Sequence, residues 1–158
     1  MAAGPDKGEK LIASNKKAYH EYFVLQKVEA GLALTGTEVK SLRDRGGELK
    51  DSYVIFKNGE AFLFGAHIAP YAHGNLANHE PQRTRKLLLH RREIDKLAVQ
   101  VAEKGLTIVA LRLYFKGGRV KVEIGVVRGK KLHDKRETEK RREADRETQA
   151  AVKAHVRR

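Results

Sequence analysis

Apolar and polar residues alternate along the middle of the chain, a pattern that predicts β-strands. An Asn-Gly pair at positions 58–59 separates the runs SYVIFK and EAFLFGAHI, and a Gly-Gly pair at positions 117–118 separates LTIVALRLYFK from RVKVEIGVV. Both pairs favour tight hairpin turns, because Asn and Gly tolerate the positive φ angles that these turns require. A further run from Tyr19 to Leu34 predicts a long strand, in which Gly31 suits a bend or bulge.

Two other segments carry the signals of short amphipathic helices. Thr35 and Glu38 have capping-box spacing ahead of VKSLRDR, and Gly46 follows as a stop signal. Apolar residues also recur at helical spacing from position 94 to position 101, before a glycine at 105. Because closure hides strand edges, we expect a small antiparallel β-barrel, closed or nearly closed, with these helices at its flanks.

The Gly-Gly turn also predicts which residues of the last hairpin face each other. The inward pairs are Phe115 with Val120, Leu113 with Val122, Leu111 with Ile124, and Val109 with Val126. The outward pairs are Lys116 with Arg119, Tyr114 with Lys121, and Arg112 with Glu123. Like charges that face each other become favourable when a phosphate backbone lies between them, so this basic face is a candidate RNA surface. An ordinary solvated face fits the same pattern equally well.

Two further groups of cations extend the candidate surface. Lys40 and Arg43 lie one turn apart on the first predicted helix, away from its apolar stripe. The segment PQRTRKLLLHRRE places five cations around three leucines: Arg83, Arg85, Lys86, Arg91 and Arg92. These cations could follow phosphates, but a solubilising flank around a buried strand is the slightly better interpretation of this segment.

The overall charge favours an anionic partner. The 158 residues include 33 Lys and Arg against 20 Asp and Glu, a formal net charge of +13, which attracts nucleic acid or an anionic membrane. The stretch 129–158 is highly charged and has almost no large apolar side chain, so it cannot become ordered by burying its own surface. We therefore expect a flexible N-terminus at 1–9, a barrel at 10–128, and a basic tail at 129–158. The tail should be disordered when free and able to fold into a helix on a partner.

The sequence lacks the common catalytic and metal-binding patterns. It contains no cysteine, which excludes disulfides and thiolate metal sites. His67, His73 and His79 form the only loose histidine cluster, and we interpret them as ordinary polar residues rather than a metal site. No apolar run approaches the roughly 18 to 20 residues of a membrane span, and a reducing cytoplasm is compatible with this composition.

The segments ASNKKAYHEY, EAGLALTGTEVKSLR, DSYVIFKNGEAFLFG, RTRKLLLHRREI and GKKLHDKR follow one another from about Ile12 to Arg136. In order and spacing they resemble the SmpB family of tmRNA-binding (SsrA-binding) proteins of bacterial trans-translation. The resemblance implies an oligonucleotide-binding (OB-like) barrel that acts as a cytoplasmic, non-enzymatic adaptor without cofactors. Its expected partners are the transfer-RNA-like domain of tmRNA, elongation factor Tu during delivery, and the stalled ribosome with its small-subunit RNA.

The resemblance also implies roles for individual residues. Glu29, Leu88 and Lys121 would contact the elbow and D-loop of tmRNA. Glu29 should read a base, because a carboxylate beside phosphates is repelled unless it accepts hydrogen bonds, such as those of a guanine amino edge. Leu88 would contact an unstacked base. Further expected RNA contacts are Asn15, Lys16, Glu38, Lys40, Arg43, His90 (where some relatives have Asn), Arg112, Tyr114, Lys116 and Arg119.

For the tail, the resemblance implies contact with the decoding centre and, beyond it, a helix in the empty messenger channel. His133 would stack on a ribosomal base, and a bulky apolar pair of some relatives is only weakly represented by Ala151 and Val152. The expected ribosome-binding residues are Gly129, Lys130, Lys131, His133, Asp134, Lys135 and Arg136.

Three other classes of protein share parts of this pattern. A constitutive ribosomal or general RNA-binding protein can also be a small, basic, tailed barrel. A nuclease or hydrolase would have to use the histidine loop, and turnover on RNA would then depend on His67 and His73. A peripheral membrane protein is disfavoured, because the basic tail has no bulky apolar face to insert into lipid.

Overall fold

A computed structural model gives the structure of the chain and describes residues 8–73, 78–130, 136, 139–144 and 146. In chain order the elements are β1 (Glu9–Ser14), α1 (Lys16–Glu21), β2 (Tyr22–Leu32), α2 (Gly36–Asp44), β3 (Gly47–Glu48), β4 (Tyr53–Lys57), β5 (Glu60–Phe64), β6 (His67–Ile68), β7 (Arg85–Leu88), α3 (Arg91–Lys104), β8 (Thr107–Lys116) and β9 (Arg119–Gly129). Every helix among these elements is too short or too polar to cross a bilayer.

Seven of these strands form a curled antiparallel sheet around one main core, while β3 and β6 pair with each other in a separate two-stranded sheet. The pairing order is β1-β8-β4-β5-β7-β2-β9, and β9 also pairs with β8. The barrel is only partly closed, because β4 meets β8 through the single pair Tyr53 and Val109. Side chains from the sheet, α2 and α3 fill the core, among them Leu42, Leu63 and Leu97. The predicted mainly β fold with flanking helices is confirmed.

Both predicted hairpins are present. The turn between β4 and β5 has φ angles of 53° at Asn58 and 75° at Gly59, and the turn between β8 and β9 has 57° at Gly117 and 77° at Gly118. Positive φ at both central residues matches the right-handed twist of the flanking strands. The local turn chemistry was therefore sufficient to place these two hairpins.

The register of the last hairpin is correct near its turn and wrong farther away. The three outward pairs and the inner pairs of Phe115 with Val120 and Leu113 with Val122 are confirmed. A bulge between Ala110 and Arg112 then shifts the register, so Ile124 faces Ala110 and Val126 faces Ile108. An inserted residue reverses the alternation of faces. In consequence Leu111 and Val109 leave the main core and pack on Ala18 in a second cluster.

The strand predicted from Tyr19 to Leu34 begins later than expected. Asn15 caps α1 by accepting a hydrogen bond from the Ala18 amide, and this helix takes the residues before Tyr22. The bulge of β2 lies between Val24 and Gln26 rather than at Gly31. Gly31 instead allows close packing, since a Cβ there would lie 3.0 Å from the Cβ of Leu88.

The predicted helices correspond to α2 and α3, and α3 ends at Gly105 in the left-handed region. At the other end of the chain, β9 runs to Gly129, and the amide of Lys130 donates to the carbonyl of Glu21 over 2.9 Å. The barrel therefore continues two residues beyond the expected boundary. Residues 139–144 are helical with exposed side chains. Whether the tail is disordered in the free protein stays a prediction.

Candidate nucleic-acid interface

A groove surrounds Leu88 where β7, β2 and the β8–β9 turn approach one another. Leu88 is 55% exposed although it ends a strand of the sheet. Two adjoining depressions share Gly31, Leu88 and Lys121. One continues along Leu34, Val39 and Arg119, and the other along Glu29, Lys86, His90 and Arg91. We call this surface, defined by these residues, the Leu88 groove.

The groove brings together residues that are far apart in the sequence. Glu29 lies on β2, Leu88 on β7, and Lys121 on β9. The β2–β7 pairing sets Gly31 opposite Leu88, and the β2–β9 pairing sets it opposite Lys121. With no side chain at position 31, the apolar Leu88 and the cationic Lys121 border the same depression. An apolar platform beside a cation suits a base and its phosphate.

The outward face of the hairpin carries mixed charge rather than the expected basic character. Glu123 accepts a hydrogen bond from Arg112 over 3.3 Å, and the Lys27 ammonium lies 3.9 Å from the same carboxylate group. The Lys116 ammonium lies 3.2 Å from Glu29 and 3.8 Å from Glu9. Three carboxylates thus compensate part of the positive charge. Specific geometry, rather than a uniform positive field, is what this face offers to a ligand.

Glu29 is held in a defined position within this face. The Tyr114 hydroxyl donates to Oε2 of Glu29 over 2.5 Å, and Lys116 donates to the same oxygen over 3.2 Å. The hydrogen bond from Tyr114 lowers the pKa of Glu29; partial burial opposes this effect, and Lys116 and Lys121 reinforce it. Glu29 is therefore an ionised acceptor at neutral pH, set among cations.

The alternation of side chains along the strand predicted that Tyr114 would be exposed among the charged residues. The structure instead buries it. Its side chain is 1% exposed, because the Arg112 guanidinium covers the ring at 4.7 Å from the centroid. Burial and the hydrogen bond to Glu29 raise the pKa of Tyr114, so it remains a neutral donor. A base cannot stack on this ring, and Tyr114 acts on the surface through Glu29.

A buried ion pair connects the walls of the groove. Glu38 on α2 and Arg85 on β7 are both fully buried and hydrogen-bonded to each other. Arg83 donates to the second Glu38 oxygen over 2.6 Å, and the Thr35 amide donates to it over 2.9 Å. Burial opposes ionisation, but these hydrogen bonds outweigh it and lower the pKa of Glu38. The solubilising interpretation is wrong for Arg85, which is an interior residue.

Arg85 also holds the chain that precedes its strand. Its guanidinium donates to the carbonyls of Ala66 and Arg83 over 3.0 Å and to that of Pro81 over 3.1 Å. A planar fork of donors can satisfy several carbonyls at once, which a lysine cannot do. Because Glu38 is enclosed by these partners, its carboxylate is not accessible to RNA. The expected direct contact between Glu38 and RNA is therefore wrong.

The other expected contacts on this side are exposed. Arg119 lies at the β8–β9 turn, and the guanidinium of Arg43 lies 5.5 Å from the ring centroid of Phe115. Lys40 points instead towards Tyr71, with its ammonium 5.8 Å from that ring. His90 caps α3, its backbone amide donating to Glu93 over 3.3 Å, and it lines the groove.

Asn15 and Lys16 lie beside the middle of β8, at the start of α1. The Asn15 side chain is buried and donates to the carbonyls of Leu49 and Ala110 over 3.2 Å and 2.8 Å. Its backbone amide bonds to the Leu111 carbonyl, five residues along β8 from Lys116, which is roughly 17 Å of strand. The structure therefore does not bring these two residues to the Leu88 groove. The expectation that the Asn15 side chain contacts RNA directly is wrong, because that side chain is buried.

The root of the tail is fixed on β2. Phe23 pairs with Arg128, whose guanidinium lies 5.2 Å from the ring, and Lys130 approaches the same ring at 5.1 Å. Lys130 also donates to the carbonyl of Tyr19 over 3.1 Å. Sequence reasoning missed this arrangement, although aromatic and basic residues in HEYF and VVRGK gave a weak signal. We call α1, Phe23, Arg128 and Lys130 the α1 end.

Little of the tail itself can be placed. Arg136 is helical and exposed, and the Glu139 carboxylate lies 2.7 Å from the ring of His20 on α1. The remaining expected ribosome contacts, Lys131, His133, Asp134 and Lys135, and the apolar positions Ala151 and Val152 lie outside the described residues. Their roles stay predictions.

The histidine loop has structural contacts in the part that is described. His79 contacts the hydroxyl of Thr37 and the carbonyl of Ile68, each at 2.9 Å, while His73 packs edge-on against Tyr71. Within the described ranges, no group of three His, Asp or Glu residues could hold a metal ion.

Comparison with known proteins gives a consistent result. The family described as "SmpB protein" matches residues 12–154. The SsrA-binding protein of Pelobacter propionicus is 56% identical over 147 residues, which cover 93% of this chain and 97% of that protein. The SsrA-binding protein of Geotalea uraniireducens is 57% identical over 145 residues, covering 92% and 96%. A structure described as "tmRNA-SmpB: a journey to the center of the bacterial ribosome" contains a chain that is 46% identical. It superposes with a TM-score of 0.65 over 78% of this chain and 87% of that chain.

Proposed function

Because the chain belongs to the SmpB family, we propose that it is an RNA-binding adaptor of trans-translation rather than an enzyme. The Leu88 groove binds the transfer-RNA-like domain of tmRNA (SsrA RNA), and the protein carries this RNA, with elongation factor Tu, to ribosomes stalled without a usable stop codon. The single observation that carries this proposal is the meeting of Glu29, Leu88 and Lys121, from three different strands, around Gly31.

Each part of the groove has a chemical task in this function. Lys121 and Arg119 neutralise phosphates and release counterions, which gives affinity. Leu88 contacts an unstacked base of a loop, and Glu29 accepts hydrogen bonds from a base edge. An elbow formed by folded loops offers both groups together. The paired Glu38 and Arg85 contribute indirectly, since they hold α2 and β7, from which Val39 and Leu88 enter the groove.

The tail performs a separate task at the α1 end. Phe23 and the strand pairing fix where the chain leaves the barrel, so the residues beyond Lys130 begin from a defined point. The tail enters the decoding centre and the messenger channel only when no message occupies them. Its cations replace counterions on channel phosphates, which offsets the entropy lost as the chain becomes helical.

Binding to a transcript of the transfer-RNA-like domain of tmRNA tests the RNA-binding role. Lys121→Glu should weaken the affinity by about tenfold or more and make the dependence on salt shallower, since each lost phosphate contact changes the log–log slope by about 0.7 to 0.9. Lys50→Glu is the matched control, because it changes the net charge equally at an exposed site near the α1 end. Equal loss of affinity in both variants would show that only overall charge matters.

Sedimentation tests the role as an adaptor. An adaptor should leave ribosomes during a high-salt wash and return when stalled complexes and tmRNA are supplied. A structural ribosomal protein would remain on all subunits throughout the wash, and that result would contradict the proposal.

A further inference from the structure

The contacts of Glu29 leave its two carboxylate oxygens in unequal states. Oε2 accepts from the Tyr114 hydroxyl at 2.5 Å and from Lys116 at 3.2 Å. In the described part of the chain, the hydrogen bond to Oε1 is a 3.5 Å contact with Lys116. Because Tyr114 is enclosed beneath Arg112, its hydroxyl is a fixed point from which Glu29 is oriented. One oxygen is thus anchored while the other retains most of its capacity to accept hydrogen bonds.

We propose that Tyr114 is a positioning residue, which anchors Oε2 of Glu29 so that Oε1 reads the amino edge of an unpaired guanine lying against Leu88. This inference rests on the proposed RNA-binding function and names the base that the groove selects. Guanine presents two neighbouring donors on its Watson–Crick edge, N1–H and the N2 amino group, whereas a carboxylate is purely an acceptor. Recognition of unpaired bases by their edges and faces is the usual mode in looped RNA.

The charges around Glu29 are consistent with this role. Lys116 and Lys121 keep the carboxylate ionised, and Glu123, opposite it on β9, is occupied by Arg112. Without the Tyr114 hydroxyl, Glu29 would have only its flexible lysine partners, and it would lose conformational freedom when the base bound. Phenylalanine at position 114 keeps the buried ring and removes only this anchor.

Base substitution in the RNA tests the proposal in the full-length protein. The probe is the transfer-RNA-like transcript with each loop guanine replaced singly by inosine, which lacks the N2 amino group. The unaltered protein should bind one of these RNAs about tenfold more weakly than the parent transcript, consistent with the loss of a hydrogen bond to a charged group. Tyr114→Phe and Glu29→Gln should bind the parent RNA more weakly than the unaltered protein does. Their affinities for the parent transcript and for that inosine-substituted RNA should differ by less than threefold. Tyr53→Phe, which removes a hydroxyl from β4 where that strand meets Val109 of β8, should behave as the unaltered protein does.

The outcomes separate this inference from the function on which it rests. If the unaltered protein did not bind the parent transcript, the RNA-binding function itself would be wrong. If it bound the transcript but no inosine substitution mattered, the choice of guanine would be overturned. Full discrimination by Tyr114→Phe would overturn the positioning role.

Carbon NMR of the free protein provides a readout that needs no RNA. The Cζ resonance of Tyr114 should change as the Glu29 carboxyl is protonated, because the two groups share a hydrogen bond. In Tyr114→Phe the pKa of Glu29 should move upwards towards the ordinary value for a glutamate. A Tyr114 resonance that ignores this titration would contradict the anchored geometry.

Discussion

The Leu88 groove and the α1 end are each braced by a buried polar side chain, but the two braces differ in kind. Behind the groove, Glu38 and Arg85 form a buried ion pair. At the α1 end, the neutral amide of Asn15 joins α1 to β8 and to the loop at Leu49. An ion pair loses most of its value when one partner is removed or neutralised. An amide has no such dependence on protonation.

The difference between the ion pair and the neutral amide corresponds to the polar groups that surround each of them. Several carbonyls and the Nη2 group of Arg83 lie around Glu38 and Arg85, and one carboxylate with one guanidinium provides hydrogen-bond partners for them. Asn15 serves one amide and two carbonyls, a need that a single side-chain amide meets without charge. The stabilising contribution of Glu38 and Arg85 should therefore depend on pH, whereas that of the Asn15 side chain should not.

Removal of residues 131–158 should distinguish the functions of the Leu88 groove and the α1 end most clearly. RNA affinity should stay within about twofold, because the groove and the root at Lys130 remain, whereas peptide tagging on stalled ribosomes should be abolished. Gel-shift titration and a tagging assay in a reconstituted translation system measure the two effects. Tagging by the truncated chain would show that the tail does not perform the sensing step.

Glu38→Gln should produce the largest loss of stability, about 3 to 5 kcal/mol in the free energy of unfolding at pH 7, because Arg85 is left buried without its counter-charge. The folded-state pKa of Glu38 is lowered, so its stabilising contribution is present above the unfolded pKa of about 4.3 and is lost as pH falls through the folded value. Urea unfolding at pH 7 and in acid should show a difference between parent and variant that shrinks on acidification. A constant difference would mean that Glu38 is not ionised.

Asn15→Ala should cost less, about 2 to 4 kcal/mol in the free energy of unfolding, because it removes a helix cap and the two buried hydrogen bonds that Asn15 donates to the carbonyls of Leu49 and Ala110. Because the amide does not titrate, the same urea series should give a cost that is independent of pH. RNA affinity at the groove should change little under conditions in which the variant is folded. A pH-dependent cost would remove the contrast between the two braces.

Leu88→Ala should have the smallest effect, with stability almost unchanged and affinity for the transfer-RNA-like transcript about five- to tenfold lower, as expected when a Leu side chain is only partly covered by a base. Leu25→Ala is a close control, since Leu25 is 54% exposed, almost as much as Leu88, but lies at the bulge of β2. Equal effects of the two variants on RNA binding would place the interface elsewhere.

Local signals were reliable where the conformation depends on neighbouring residues. Both hairpin turns, the helix beginning after Thr35, and the outward pairing of Lys116 with Arg119 followed directly from residue types. The bulge at Leu111 and the helix after Asn15 were missed, because each is stabilised by distant groups. The Asn15 amide, for instance, bonds to a carbonyl of β8 that is 95 residues away along the chain.

The sequence by itself determined the two hairpins and their turns, the positive charge and, through family motifs, which residues to examine. Only the tertiary structure decided which of those residues share a surface. Alternation along one strand assigns a side chain to a face, but pairing with another strand and coverage by neighbours decide whether it meets solvent. For that reason Tyr114 is buried beneath Arg112, Glu38 is enclosed by arginines, and Leu88 stands exposed beside Gly31.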